Sequence, residues 1–535
     1  MSIGKLEFFE MSGAGIVPMQ DVALRLNPRD EVAIAKTNLQ VGTILAVPDP
    51  NGQQPETRVP VRQFIPRGHK IALKPMPQGG EIHRYGHMIG VAGKAIAPGE
   101  HVHVHNVERE AFERDYAFGL DVRPVEYIPE AQRRTFLGYR RLSGRVGTRN
   151  YIAVISTVNC SAHTSREIAH YFTPQRLAAF PNVDGVIAIA HNAGCASRVG
   201  GDDYVLLQRV LAGMARHPNV SAYIIVGLGC ETNQTSELVE NYDLSIEDIG
   251  GMAPTLTIQG EGGIRKAVAK GIAAVERLLP LANACQRTPQ PISELMVALQ
   301  CGGSDSWSGV TANPVVGLVA DEIVRQGGTV VLAETPEIYG AEMMLTRRAV
   351  SAEVGQKIID KVQWWERHAE RIGGAIDNNP SAGNKAGGLT TIYEKSLGAV
   401  AKGGSTPLMG VYEYAESVTA RGFTFMDSPG YDPVSVTGEV AGGCNIVLFT
   451  TGRGSTFGFK PAPSIKVVSN TETYEHMIDD MDVNAGKILD GADPKDVAAE
   501  LLKLTIEVAS GQPSKSEAQG VGESEFSPWM LGGLF

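Results

Sequence analysis

The sequence is poor in cysteine: six occur among 535 residues, and they are spread over the chain. Such sparse, widely spaced cysteines exclude the dense disulfide framework of small secreted proteins. The first ten residues also lack the basic start and apolar run of a signal peptide. These absences favour a cytoplasmic protein with reduced thiols.

Two further classes are excluded by what the chain lacks. No apolar stretch approaches the ~18 residues that a transmembrane helix needs, so we expect no membrane association. Basic residues are outnumbered, with 48 Lys and Arg against 59 Asp and Glu, a net charge of −11. An acidic surface repels phosphate backbones, so nucleic acid is not an expected partner. An anionic substrate would need a local basic pocket.

Short apolar runs dominate the first part of the chain. Over residues 1–106 they alternate with Gly and Pro, and long helical periodicity is absent, which predicts a small β-rich domain. Residues 107–137 carry many charges and little periodicity. We predict that they form a linker.

The pattern changes after Gly138. Compact apolar runs, typical of strands buried on both faces, alternate with helical patterns. This alternation predicts α/β architecture, with two Rossmann-like, mostly parallel units at residues 138–290 and 291–535. The second unit includes a Ser-, Gly- and Glu-rich stretch of about 25 residues at its end, which we predict to be a loose tail.

Four cysteines lie where predicted strands end: Cys160, Cys195, Cys230 and Cys301. Ligands bind at the carboxyl ends of strands in open α/β sheets, so these cysteines could converge on a site. The alternative is that each packs as a small hydrophobic residue, which is common for free cysteine. Their spacing does not match a compact zinc ribbon.

Other polar side chains occupy similar positions. Arg453 follows a strand between glycines, which suits binding of a carboxylate. Asn384 and Lys385 lie in a Gly-rich polar loop that we interpret as ligand-binding, although an ordinary surface loop would look similar. The histidines at positions 101, 103 and 105 alternate, so they would share one face of a strand and could share a metal ion.

Seven motifs together resemble the altronate and galactarate dehydratases, in order, from about residue 30 to about residue 510. The resemblance is closer to the altronate enzymes. The motifs are Pro66-Arg67-Gly68-His69-Lys70, Tyr85-Gly86 with Ile89-Gly90, Gly99-Glu100-His101-Val102-His103-Val104-His105-Asn106, Gly227-Leu228-Gly229-Cys230-Glu231, Cys301-Gly302-Gly303-Ser304-Asp305 with Thr311-Ala312-Asn313-Pro314, Gly383-Asn384-Lys385-Ala386-Gly387-Gly388, and Thr450-Thr451-Gly452-Arg453-Gly454.

The resemblance implies a small SAF-type β domain before the α/β body. It also implies dehydration of a sugar acid, D-altronate foremost, to a 2-keto-3-deoxy acid with the help of a divalent metal, Fe²⁺ or Mn²⁺. On that basis we expect Asn384, Lys385 and Arg453 to bind substrate, and a homo-oligomer is a further expectation. The candidate acids and bases are His191, Glu231 and Asp305, and the candidate metal ligands are His69, His103, His105, Cys195, Cys230 and Cys301.

Several alternatives remain open at the level of sequence. The substrate could be galactarate or another aldarate, and sulfolactate sulfo-lyases are a more distant possibility. An iron–sulfur hydro-lyase could use Cys160, Cys195 and either Cys230 or Cys301. Outside the enzymes, the chain could be a sugar-acid binding protein without turnover.

Overall fold

A computed structural model describes residues 15–49, 55–110, 114–246, 251–252 and 254–531. The chain divides into two compact units. Unit 1 comprises Met1–Glu113 and Asp377–Leu397, and unit 2 comprises Arg114–Ile376 and Gly398–Phe535. In the part of the chain described, no helix combines the length and apolar character that crossing a membrane requires.

Unit 1 is rich in short strands, which confirms the β-rich character predicted for the N-terminal part. They form three small sheets, in the orders β1-β4-β5, β2-β3-β6-β9 and β10-β8-β7, with mostly antiparallel pairing. The strands are β1 (Ile16–Pro18), β2 (Ala23–Leu24), β3 (Val32–Ala35), β4 (Ile44–Val47), β5 (Thr57–Pro60), β6 (Lys70–Ala72), β7 (Glu81–Arg84), β8 (His87–Ala92), β9 (His101–Val102) and β10 (Val107–Glu108).

A buried ion network joins the two chain segments of unit 1. Lys70, on β6, donates to both carboxylate oxygens of Glu394 at 2.8 and 2.9 Å and to the carbonyl of Gly388 at 2.7 Å. Arg84, on β7, also donates to Glu394. The segment from residue 377 to 397 is therefore tied to the strands by charge as well as by packing.

Unit 2 contains two parallel sheets, as the alternating pattern predicts. The first has the order β14-β13-β15-β18 and the second the order β22-β23-β21-β20-β24-β25-β26. A three-stranded sheet β12-β11-β19 and the pair β16-β17 are antiparallel. The strands are β11 (Thr135–Arg140), β12 (Val146–Gly147), β13 (Tyr151–Ser156), β14 (Gly185–Ile189), β15 (Val220–Gly227), β16 (Ser245–Ile246), β17 (Gly251–Met252), β18 (Thr255–Thr257), β19 (Thr288–Pro291), β20 (Met296–Cys301), β21 (Thr329–Leu332), β22 (Leu408–Tyr412), β23 (Gly422–Met426), β24 (Ile446–Thr451), β25 (Ser464–Val468) and β26 (Val483–Asn484).

Most of the helices lie in unit 2, where many of them connect parallel strands. The α-helices of the described residues are α1 (Met19–Val22), α2 (Asn159–Tyr171), α3 (Pro174–Leu177), α4 (Asp202–Ala215), α5 (Thr235–Asn241), α6 (Ile264–Ala284), α7 (Ala312–Arg325), α8 (Met343–Thr346), α9 (Ala352–Arg371), α10 (Ala382–Ala386), α11 (Ile392–Ala399), α12 (Asp432–Ala441), α13 (Thr471–His476), α14 (Pro494–Ala509) and α15 (Lys515–Ala518). The sequence pattern predicts that α6 ends at Pro280, but the helix continues for one more turn. Its buried face, which includes Leu279 and Ala282, outweighs the local cost of proline.

The two parallel sheets of unit 2 share one hydrophobic core. Ile155 and Ile225 from the first sheet belong to the same cluster as Val447 and Phe449 from the second. The predicted linker contributes β10 to unit 1 and the first residues of β11 to unit 2. The C-terminal stretch predicted to be loose instead buries Phe526, because that side chain joins the same core.

Candidate active site

Three imidazoles converge in unit 1. His69 precedes β6, His101 begins β9, and His103 lies just beyond β9. One ring nitrogen from each lies within 4.8 Å of the other two, which is close enough for a shared metal ion. We call these three residues the histidine group. His69 is buried, whereas His101 and His103 are partly exposed, so the group can be reached from solvent.

The hydrogen bonds of His69 orient it as a metal ligand. Its Nε2 lies 3.2 Å from the carbonyl oxygen of Ala386 and must donate, because a carbonyl only accepts. Nδ1 is then the acceptor nitrogen, and it faces His101 Nε2 at 3.0 Å. A backbone carbonyl that fixes the tautomer of a ligand histidine is a common feature of metal sites.

The electrostatics of the histidine group favour neutral rings. Burial lowers the pKa of all three, and the nearby charge of Lys70 lowers it further. The pKa falls to about 4 for His101 and about 3 for His103. Nδ1 of His103 is buried, and no described group bonds to it. Neutral rings with an unshared lone pair fit a divalent metal by the chemistry of their donors.

The predicted ligand-binding loop lies beside the histidine group. Ser381 caps α10, and the Asn384 side chain accepts from the Ser381 backbone N–H at 2.9 Å. Asn384 is buried and Lys385 is half-buried. Ala386, the next residue, supplies the carbonyl that orients His69. Predicted metal ligands and predicted substrate-binding residues therefore meet within unit 1.

His105 lies outside the histidine group, although alternation in a strand would have put it on the same face. The strand β9 ends at Val102, and the chain turns over the next residues. His105 is exposed, with its ring 5.3 Å from that of His101. His101 takes the place in the group that the sequence pattern assigns to His105.

A second cluster of potential ligands is buried in unit 2. Cys301 ends β20, and Glu334 and Glu337 follow β21, so all three lie at the carboxyl ends of adjacent parallel strands. Their ligand atoms lie within 4.8 Å of one another. We call them the buried acidic group. The Cys301 thiol donates to Glu337 at 3.4 Å.

A buried lysine balances the charge of this group. Lys402 Nζ lies 3.8 Å from a Glu334 carboxylate oxygen. Burial alone would lower the pKa of Lys402. The nearby Cys301, Glu334 and Glu337 have the larger, opposite effect, so the pKa is raised above its ordinary value. The ammonium therefore stays charged. Two carboxylates and a deprotonated Cys301 could bind a divalent metal, but here a counter-ion is already in place.

Asp305 and Arg453 lie at neighbouring strand ends of the second sheet. The Asp305 carboxylate is buried and accepts from the backbone N–H of Trp307 and Ser308 and from the Ser469 hydroxyl. Arg453 is exposed, and its backbone N–H donates to the carbonyl of Gly303. Asp305 thus holds loops together, whereas the Arg453 side chain reaches solvent and can meet an anion.

The other two predicted acids or bases are also engaged in local structure. His191 is buried; its Nε2 donates to the Ser156 carbonyl and its Nδ1 accepts from the Ala193 N–H. The carboxylate of Glu231 accepts from the Thr157 hydroxyl and from two backbone N–H groups of its own loop. Both side chains stabilise the loops beyond the first sheet, and these hydrogen bonds occupy the acceptor atoms that a general base would need.

Comparison with protein families covers nearly the whole chain. The altronate/galactarate dehydratase SAF domain matches residues 21–110, and the second domain of D-galactarate dehydratase/altronate hydrolase matches residues 138–283. The D-galactarate/altronate dehydratase C-terminal domain matches residues 292–533. The chain belongs to the D-galactarate/altronate dehydratase family. The resemblance inferred from the seven motifs is thereby confirmed.

Individual members of this family are similar along most of their length. Altronate dehydratase of Bacillus subtilis (strain 168) is 34% identical over 497 residues, covering 91% of this chain and 95% of that protein. Altronate dehydratase of Escherichia coli (strain K12) is 34% identical over 496 residues, with coverages of 92% and 96%. Galactarate dehydratase (L-threo-forming) of the same organism is 35% identical over 474 residues, with coverages of 86% and 90%.

The sequence pattern marks Glu334 and Glu337 as polar residues after a strand but does not assign them to the site, and it does not indicate Lys402 at all. The two glutamates follow a predicted strand within three positions of each other, and that spacing was the available signal. Lys402 gives no such signal, because it reaches the cluster from the 3₁₀ turn Val400–Gly403, far along the chain.

Proposed function

We propose that this chain is a hydro-lyase that dehydrates a sugar acid, with D-altronate as the first candidate, to a 2-keto-3-deoxy sugar acid. The observation that carries the proposal is the convergence of the histidine group with the loop of Asn384 and Lys385. The similar altronate and galactarate dehydratases support dehydration of a sugar acid. Altronate is placed first because the sequence motifs resemble the altronate enzymes more closely.

The reaction removes a proton from C2 and hydroxide from C3 of the substrate. The resulting enol then takes up a proton at C3 to give the 2-keto product, and the only other product is water. Because the C2 proton is weakly acidic, its removal requires a base and stabilisation of the developing enediolate.

His69, His101 and His103 would hold the divalent metal, Fe²⁺ or Mn²⁺. When bound, such an ion supplies Lewis acidity toward carboxylate and hydroxyl oxygens. The Ala386 carbonyl keeps the His69 ring oriented, and the neutral state of all three rings keeps their lone pairs available.

Lys385 and His105 complete the proposed machinery of unit 1. The ammonium of Lys385, one residue before Ala386, would bind the substrate carboxylate. His105 would take the C2 proton: it is exposed, it lies beside the histidine group, and burial and Lys94 lower its pKa, so it is neutral and can accept. The predicted bases His191, Glu231 and Asp305 are less suited, because their acceptor atoms are already used.

A substrate panel tests the reaction. The full chain, purified under reducing, oxygen-free conditions, is assayed with altronate, galactarate and other aldonates and aldarates, each with Fe²⁺, Mn²⁺ or Mg²⁺. We expect a 2-keto-3-deoxy product, fastest with altronate. Binding of these acids without turnover would instead favour a sugar-acid binding protein. Faster turnover of galactarate than of altronate would indicate an aldarate dehydratase.

Variants test the assigned roles. His103→Ala should lose bound metal and activity together, whereas His87→Ala, an exposed histidine of the same unit, should keep both. His105→Gln should keep the metal but lower kcat by about 10²–10⁴-fold, the usual contribution of a general base. Lys385→Ala should chiefly raise KM. Retention of metal by His103→Ala would remove the histidine group from the mechanism.

Arg453 is tested in the same assay. Arg453→Ala should raise KM if its exposed guanidinium binds the anionic substrate, as its Gly-flanked position after a strand suggests. Unchanged kinetics would remove Arg453 from the substrate site.

A further inference from the structure

Three cysteines of unit 2 lie at the ends of adjacent parallel strands. Cys160 follows β13, Cys195 follows β14, and Cys230 follows β15. In the sheet, β13 pairs with β14 on one side and with β15 on the other. The three cysteines therefore lie beyond the same edge of the sheet. We call them the cysteine rim.

This edge is where the chain reverses its direction of winding. From β13 the chain passes to β14 on one side and then crosses to β15 on the other, so the crevice beyond β13 and β15 is a topological switch point. Ligands in open α/β sheets bind at this position, outside the carboxyl ends of the strands. The cysteine rim occupies it.

Backbone contacts hold the three cysteine loops together. The Asn159 N–H donates to the Ala193 carbonyl at 2.8 Å, and the Asn233 N–H donates to the Gly194 carbonyl at 3.1 Å. The Asn233 side chain also donates to the Thr157 carbonyl at 2.9 Å. These bonds join the immediate neighbours of Cys160 and Cys195 to each other's loops and to Asn233, three residues after Cys230.

Gly194 makes this close approach of the loops sterically allowed. A Cβ atom there would lie 2.2 Å from the Thr157 carbonyl oxygen, and the backbone has φ +96, which side chains rarely adopt. The Glu231 carboxylate, bonded to the Thr157 hydroxyl, braces the third loop. The hydrogen bonds of these loops, together with the glycine, fix the surroundings of the thiols and leave the thiols themselves at the surface.

All three thiols of the cysteine rim are exposed, while Cys301 and Cys444 are buried. The described residues form two groups of ligand atoms within 4.8 Å, and neither includes the rim. A single zinc ion, with Zn–S bonds of about 2.3 Å, needs sulfur atoms that close together. An iron–sulfur cluster does not, because each thiolate binds a different iron.

We propose that Cys160, Cys195 and Cys230 bind a [4Fe–4S] cluster in the switch-point crevice, with the fourth iron left open to a small oxygen ligand such as a hydroxyl or carboxylate. Gln259 supports this assignment, since its side-chain N–H points at the Cys230 sulfur at 3.3 Å. Hydrogen bonds to ligand sulfurs are a normal part of cluster sites. All three cysteines belong to unit 2.

Reconstitution of the full chain with ferrous iron and sulfide, without oxygen, tests the proposal. We expect about four acid-labile sulfide per chain and about four iron beyond any Fe²⁺ held by the histidine group, with the visible absorption of a cluster. Cys160→Ser, Cys195→Ser and Cys230→Ser should each lose most of the sulfide. The matched control Cys285→Ser, in the same unit, and His103→Ala should keep it.

A second measurement uses the wild-type chain, so it does not depend on whether the cysteine variants fold. In the reconstituted wild-type chain, alkylation followed by mass spectrometry should find the cysteine rim protected and Cys285 modified at the rate of the apoprotein. The proposal would be overturned by an absence of labile sulfide, by binding of zinc alone, or by a loss of sulfide in Cys285→Ser equal to that in the rim variants. Because the readouts are iron, sulfide and protection, the result stands apart from whether the chain dehydrates altronate.

Discussion

Removal of the Glu394 carboxylate should destabilise unit 1. This side chain is fully buried and accepts from Lys70 at 2.8 and 2.9 Å, from Arg84, and from the Thr390 hydroxyl at 2.6 Å. Without it, two buried cations lose their shared partner. Breaking one partner of a buried ion pair costs about 3–5 kcal/mol, and we expect Glu394→Ala to destabilise unit 1 by that amount.

Hydrogen exchange is the appropriate assay, since a chain with two compact units need not unfold in one step. In Glu394→Ala, peptides that contain β6 and β7 should exchange faster because unit 1 is less stable. Glu81→Gln is the control in the same unit: Glu81 is exposed and pairs with His83 at 3.3 Å, and such surface pairs contribute about 0–1 kcal/mol. A loss below about 1 kcal/mol in Glu394→Ala would refute the reasoning.

The same network predicts a dependence on pH. Burial raises the pKa of Glu394, but Lys70 and Arg84 outweigh it and lower the pKa to about 2, against an ordinary value of 4.5. A lowered carboxylate pKa contributes stability that is complete above pH 4.5 and is lost as the pH falls toward 2. The difference corresponds to about 3 kcal/mol. Glu394→Gln should remove this acid-sensitive part of the exchange profile.

Three further perturbations address unit 2. Burial lowers the pKa of His191 from 6.5 to about 4. The stability that the neutral ring contributes should therefore be complete above pH 6.5 and fall by about 3 kcal/mol toward pH 4. Thermal unfolding of His191→Gln should not show this dependence on pH. Gly317→Ala places Cβ 2.2 Å from the Ala401 carbonyl oxygen and should cost about 1–3 kcal/mol in denaturant unfolding, whereas Gly374→Ala, with its nearest neighbour at 3.7 Å, should be neutral. Lys402→Met leaves the buried acidic group without its cation and should lower the unfolding temperature, with partial recovery at acidic pH as the carboxylates protonate.

The sheets of unit 2 could be predicted because their strands are buried on both faces. A strand such as β13 or β21 then appears as a compact apolar run, and its end is marked by the first polar residues. The sequence pattern therefore correctly predicts that Cys301 and Arg453 lie at strand ends. Their neighbours across the sheet could not be predicted, since strand order is set by contacts distant in sequence.

The histidine group shows where local pattern reasoning fails. Alternation of histidines at 101, 103 and 105 predicts a shared face only while the strand continues, and β9 stops at Val102. The attachment of residues 377–397 to unit 1 carries no periodic signal at all. It depends on single buried charges, above all Glu394, whose two cationic partners lie 310 and 324 positions away in sequence.

Charge balance distinguishes the two groups of potential metal ligands. In the buried acidic group, Lys402 already neutralises carboxylate charge, so a dication could enter only by displacing that ammonium or competing with it in a buried site. In the histidine group the rings are neutral, and the neighbouring Lys70 is held by Glu394. A dication there displaces no counter-ion and finds the unshared lone pair of His103 Nδ1. The physical argument therefore favours unit 1 for an exchangeable metal that must also meet a substrate.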